Sequence, residues 1–281
     1  MELKERLHEH LTQVVRDRDP YLATAGHFYV QQYIRQQLEQ WGTVETYEFQ
    51  VRGKTHFNLI LNLPPFNGNK AELPPILIGA HYDAVPGTPG ADDNATGVAV
   101  LLELAKAFAT QPLRHPIRLV AFDMEEYGML GSSEYAAYLQ QQQQPLRLML
   151  SLEMLGYCDS TPNSQRYPPG LKYIYPNRGN FIGLIGNLST IPDMIRLNRS
   201  IRNVGIPSEW LPVPNRGVMI RATRLSDHSP FWDRGYRAMM VTDTAFMRNP
   251  HYHQPSDRIN TLDLDFLTGV CRGLITGIQN F

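Results

Sequence analysis

The stretch "GAHYDAVPGTPGADDNATG", residues 79–97, places one histidine and three aspartates in a loop otherwise made of glycine, proline and small residues, directly after an apolar run. Further along, Glu125 and Glu126 follow the run "IRLVAF", Glu153 stands near the end of "LRLMLSLEM", and His253 lies in the loop after "AMMVTDT". Each has an ordinary explanation alone: a structural histidine, a solvated acid pair, an aspartate capping a helix. Together they present five or six carboxylates at one place, which repel unless cations lie between them. Imidazole with carboxylate and no thiolate suits zinc, and permits cobalt or manganese. Two histidines and three carboxylates exceed what one catalytic zinc uses, and suit two ions sharing a carboxylate at a separation of about 3.5 to 4 Å.

Such a cluster needs a scaffold that brings distant residues to one rim. Amphipathic patterning predicts helices over 2–18 and 23–40, the second stopping near Trp41 and Gly42. "VETYEFQV" and "FNLILNL" read as strands, and "PPFNGNKAELPP" as a loop, by its prolines with Asn67 and Gly68. A rhythm then sets in: "PILIGA" as a strand, 95–109 as a helix, "IRLVAF" as a strand, 131–140 as a helix, "LRLMLSLEML" as a strand. After an irregular, proline- and tyrosine-rich excursion over 157–180 come a strand "FIGLIG", a helix over 190–203, a strand "RAMMVTDT" and a closing helix over 261–280. Alternating strands and helices imply an α/β fold, a largely parallel sheet with helices on both faces. Ligands of such sheets bind outside the carboxyl ends of the strands, where every candidate ligand falls. Because these residues run from 81 to 253, one domain over 1–281 is expected.

The totals narrow the partners. A formal net charge of -1 offers no basic surplus for nucleic acid or an anionic membrane, which leaves small substrates. No segment approaches the roughly 18 to 20 consecutive apolar residues of a membrane span. The first residues, "MELKERLHEHLTQVV", are charged and helical in pattern, unlike a secretory leader, so a soluble, cytoplasmic protein is expected. Cys158 and Cys271 form no metal-binding pair and read as buried thiols, with a disulfide between them left open.

The pieces "GAHYD", "PGADDNATG", "AFDMEEYGMLGS", "SLEMLGY", "SDHSPFW" and "HYHQPSD", in this order and spacing, resemble the co-catalytic zinc aminopeptidases of peptidase family M twenty-eight in clan MH, bacterial leucyl aminopeptidases among them. The resemblance covers 75–257. It implies a three-layer αβα fold of the phosphorylase/hydrolase-like type, with a mixed, mostly parallel sheet. It further implies a di-zinc exopeptidase acting on a peptide or small amino-acyl substrate. His81 and Glu153 would hold one ion, Glu126 and His253 the other, and Asp92 would bridge them. Glu125 would be the general base. Asp93 would partner a cis peptide following Asp92, and Asp83, two residues past His81, would accept its second ring N–H. Tyr252 resembles a tyrosine that stabilises the tetrahedral oxyanion in some relatives, and Asp227 and His228 fall where relatives flank the substrate pocket. Phe231, Trp232, Met239 and Met240 could line an apolar pocket, while Ser226 or Asp227 could cap the helix that follows. Arg216, Arg221 and Arg224 could meet a carboxylate, as a carboxypeptidase requires. Two alternatives remain open: a glutaminyl cyclase, which is a mono-zinc acyltransferase on the same fold, and a non-catalytic binding domain that kept the fold. Retention of His81 and Glu153 together favours two metals.

Overall fold

The computed structural model describes residues 2–66 and 73–281. Helices α1 (Leu3–Val14) and α2 (Thr24–Glu39) open the chain, followed by strands β1 (Val44–Val51) and β2 (Lys54–Leu63). Then come β3 (Ile76–His81), α3 (Gly97–Thr110), β4 (Ile117–Phe122), α4 (Leu130–Gln141) and β5 (Leu148–Glu153). The remainder is β6 (Ile182–Asn187), α5 (Ile191–Asn203), β7 (Ser208–Val213), α6 (His228–Asp233), β8 (Ala238–Thr242) and α7 (Leu264–Ile278). All eight strands join one sheet in the order β1-β2-β4-β3-β5-β8-β6-β7. The block β4-β3-β5-β8 is parallel, β6 runs antiparallel to β8, and β1, β2 form an antiparallel flank.

Alternation along the strands sorts the core into two faces. Ile76, Ile78 and Ala80 of β3 join Leu119 and Ala121 of β4 under α1, α2, α3, α5 and α7. Leu77, Val120 and Phe122 point the other way, against Tyr135, Ala136 and Leu139 of α4 and Phe231 and Trp232 of α6. The fold is therefore α/β in three layers around a mixed, mostly parallel sheet. Gly79 serves this packing directly, since a Cβ there would stand 2.3 Å from the Phe122 ring.

Most sequence expectations fall within a few residues of the observed elements, and the departures have causes. The first helix stops at Val14 rather than 18, because the following residues turn Arg18 inward to full burial. Strand β7 was not expected. Its Pro212 argues against a strand interior, but β7 is the last strand of the sheet, where a missing N–H is tolerated. Helix α7 starts at Leu264 because Asp263 caps it, accepting from the backbone N–H groups of Asp265 and Phe266. Asn67 and Gly68, the turn signals of the predicted loop, lie outside the described residues. Both cysteines are free thiols. Among the described residues no helix is long and apolar enough to cross a membrane.

Candidate metal centre

The four adjacent parallel strands end on one rim, and the acids and histidines gather there. His81 is the last residue of β3, Glu153 the last of β5, and Glu125 and Glu126 lie in the turn after β4. Met124 and Met154, flanking these acids, take left-handed backbone angles (φ 61° and 48°), uncommon for bulky residues and a sign that packing dictates the turn. His253 is likewise left-handed, at φ 56°.

Three groups of side chains could each hold an ion: His81 with Asp93 and Glu153, Asp93 with Glu126 and His253, and His81 with Glu125 and Glu126. The first two share Asp93 and between them use both histidines. Asp93 Oδ1 lies 3.4 Å from His81 Nε2 and its Oδ2 lies 3.1 Å from His253 Nε2. His81 Nε2 also faces Glu153 at 3.7 Å and Glu125 at 3.9 Å, while His253 Nε2 lies 3.3 Å from Glu126. Neither ring nitrogen of buried His81 makes an aligned hydrogen bond, and buried Glu126 Oε1 has no partner either. Unpaired buried donors and acceptors are costly. Atoms so arranged fit divalent ions at the common centre of each group, and nitrogen with carboxylate suits zinc.

The expected bridge is displaced by one residue. Asp92 is turned away from the cluster: its Oδ1 accepts from Gly156 N at 2.9 Å and its Oδ2 from Asn249 Nδ2 at 2.8 Å. Burial, and then the neighbouring Asp243 carboxyl, push the Asp92 pKa well above the usual range. The cis peptide follows Asp93, joining it to Asn94, and not Asp92. The wide turn over Ala91–Thr96 decides which acid faces the rim. Asp257 accepts from the backbone N–H groups of both Asp92 and Asp93, and Asn94 anchors the turn to β5 through Leu152 O and Met154 N.

The acids and imidazoles of the cluster shift one another's proton affinities. Burial pulls His253 down, but Asp93 and Glu126 outweigh it and lift the imidazole to about 10. Burial, then the neighbouring Asp93, pushes Glu126 up to about 7. Burial also raises Glu125 well above its ordinary value, with Glu153 and Glu126 adding to it against His81. Asp93, although buried, stays ionised far below the carboxylate range because His253 and His81 face it.

The surrounding side chains hold this set in place. Asp83 Oδ1 lies 3.4 Å from His81 Nδ1 and accepts from Glu125 N, while its Oδ2 accepts from Glu126 N. One carboxylate thus orients a histidine and both glutamates. Tyr252 stacks on His253 with ring centroids 3.7 Å apart and lines the site cavity with Asp93, Glu125, Glu126, Glu153 and Leu225. Burial raises the Tyr252 hydroxyl pKa, so it remains a donor.

Asp227 and His228 do not line that cavity. Both are fully buried behind the cluster: His228 Nε2 meets Thr223 O at 2.8 Å and its ring abuts Trp232, while Asp227 is pushed to about 7 by burial. Leu225, two residues earlier, is exposed and takes the position at the mouth. Ser226 does not cap the next helix but donates to Glu153 Oε2 at 2.7 Å. Of the four apolar candidates only Met240 reaches a cavity beside the site, while Phe231, Trp232 and Met239 are core. Arg224 pairs with Asp233 at 2.6 Å and Arg216 leans on the Asp233 carbonyl, both away from the rim.

This rim defines a class. The family model for Peptidase family M28 matches residues 58–276, and the chain belongs to that family. The chain is 36% identical over 266 residues to YfbL of Escherichia coli (strain K12), an uncharacterized protein, with 89% of this chain and 79% of that one covered. By fold it is similar to the LapA aminopeptidase of Legionella pneumophila, at a TM-score of 0.74 and 18% identity over 98% of this chain and 70% of that one. A zinc aminopeptidase of Bacillus subtilis gives 0.61 at 25% identity, over 82% and 50% of the two chains. A glutaminyl cyclase of Bacteroides thetaiotaomicron gives 0.71 at 16% identity, over 99% and 98%.

Proposed function

We propose that the chain is a metal-dependent aminopeptidase whose single catalytic domain holds two zinc ions, with cobalt or manganese as substitutes. The observation that carries this reading is the pair of ligand groups meeting at Asp93 with Glu125 beside them. His81 and Glu153 would hold one ion, Glu126 and His253 the other, with Asp93 shared. Bound there, the ions supply Lewis acidity toward the scissile carbonyl and acidify a water molecule. Glu125, close to His81 and lining the cavity, takes the proton of the attacking water and passes it to the leaving amine. The Tyr252 hydroxyl donates to the oxyanion as the carbonyl becomes tetrahedral.

An apolar cavity of about 60 Å³ opens beside Glu153 and Tyr252, lined by Ile185, Ala222, Leu225, Met240, Phe246 and Met247. It suits an uncharged, apolar side chain on the terminal residue of a peptide. Kinship with named aminopeptidases supports the reading, and the glutaminyl cyclase neighbour shares the fold alone. Two measurements test it. Metal content should reach about two equivalents per chain, where one would favour the cyclase and none a binding domain. Amino-acid anilides with apolar residues should be cleaved, whereas turnover of an N-terminal glutamine peptide to a cyclic product without anilide hydrolysis would refute the peptidase.

A further inference from the structure

Arg18 has the least expected surroundings in the molecule. It lies in the segment after α1, outside the region matched by the family model, yet is fully buried against the loop that carries Asp93. Buried arginines ordinarily pair with a carboxylate. Among the described residues this one bonds backbone carbonyls instead: Nε to Tyr82 O at 2.9 Å, Nη1 to Pro89 O at 2.6 Å, Nη2 to Gly90 O at 2.8 Å and to Asp93 O at 3.1 Å, with longer contacts to Val14 and Arg16.

These carbonyls are not a random set. Tyr82 follows the ligand His81, and Gly90 and Asp93 bracket the turn that aims the shared carboxylate. One planar cation therefore ties the backbone of β3's end to the backbone of the Asp93 turn, a task that needs the fan of five donors unique to arginine. The turn is shaped to receive it. Gly90 is left-handed at φ 59°, and a Cβ there would stand 2.3 Å from Asp93 O and 2.8 and 2.9 Å from Arg18 Nη2 and Nη1, so only glycine lets the turn and the guanidinium meet. The guanidinium also lies near enough to Asp93, Asp257, Asp83 and Glu126 to feel their charges, and so offsets part of the acid cluster from behind.

We infer that Arg18 is a positioning residue for the proposed metal centre: the segment that follows α1 reaches under the sheet rim and fixes the backbone beside His81 and Asp93. The inference rests on the two-metal reading above.

The test is metal affinity of folded protein, by chelator competition with zinc and by the visible spectrum of the cobalt form. Arg18→Lys keeps the charge but cannot span the four carbonyls, and should weaken binding by about tenfold or more and alter the cobalt spectrum. Arg18→Gln removes the charge but keeps a hydrogen-bonding amide and should act in the same direction, which keeps the test informative should Arg18→Lys fail to fold. If either variant folds, by circular dichroism, and binds both ions with wild-type affinity and spectrum, Arg18 is only a structural residue and the inference falls. Wild-type protein that binds no metal would instead overturn the metalloenzyme reading itself.

Discussion

Two buried aspartates in this chain, Asp93 and Asp123, each face two histidines, and only one of them belongs to the proposed metal centre. Asp123 is bonded to His27 Nε2 at 2.8 Å and His56 Nδ1 at 3.2 Å, and its own Oδ1 also accepts from Met124 N. His56 reaches on to the Tyr21 hydroxyl, and His27 stacks on Tyr82. Partners sit at hydrogen-bond distance and one carboxylate serves two rings, so the charges close on themselves. Around Asp93 the same residue types stand mostly 3.3 to 3.9 Å apart, three further carboxylates crowd in, and both His81 nitrogens lack aligned partners. Residue type alone does not make a metal site; an excess of acids over bases, and donors that converge on a shared point, do.

The largest way to break this contrast is to remove the shared ligand. Asp93→Asn should cut metal content from about two equivalents to one or none and take hydrolysis to background, read by mass spectrometry and anilide assay. Asp92→Asn, one residue away, should keep both equivalents, since Asp92 bonds to Gly156 and Asn249 instead of facing the rim. Equal metal loss in the two variants would mean that the geometry around Asp93 is misread. Glu125→Gln comes next, because it removes a proton acceptor without removing a ligand of either proposed ion. We expect kcat to fall by about 100- to 10,000-fold with metal content intact, and near-normal turnover would exclude Glu125 as the base. Tyr252→Phe is smaller: losing one oxyanion donor should cost kcat on the order of 100-fold with KM little changed, and a change confined to KM would assign Tyr252 to substrate binding.

Much of this was legible in the sequence where local pattern and tertiary role agree. "IRLVAF" reads as a buried strand and is one, because a central parallel strand needs apolar residues on both faces. The rim positions of His81, Glu126, Glu153 and His253 followed from strand ends. What failed did so where backbone direction rather than composition decides. Asp92 and Asp93 are adjacent and chemically identical, and only the turn around them shows which one faces the rim. Arg18 falls at the end of the helix expected over 2–18, and no local signal marks that the chain turns inward after Val14. Ser226 and Asp227 read as cap and pocket, and exchanged those roles for a bond to Glu153 and for burial.

The smallest expected effect on catalysis belongs to the self-closed cluster. Asp123→Asn should leave metal content unchanged and act on stability instead. Burial alone would raise the Asp123 carboxyl, but His27 and His56 hold it at about 2, below its ordinary 3.8. A depressed acid stabilises the fold at pH above its unfolded value and loses that contribution as pH falls through the folded one, here between about 4 and 2, worth on the order of 2 kcal/mol. His27 is raised despite burial because Asp123 bonds it, so its share is present below its ordinary 6.5 and is lost as pH climbs through the higher folded value. The two shares overlap between about pH 4 and 6.5. Urea unfolding of chelator-treated protein should therefore show the greatest gap between wild type and Asp123→Asn in that window, closing toward pH 2. A gap that is flat with pH would mean that the Asp123 cluster is held by packing and not by charge, and the contrast with the Asp93 centre would then lie in burial alone.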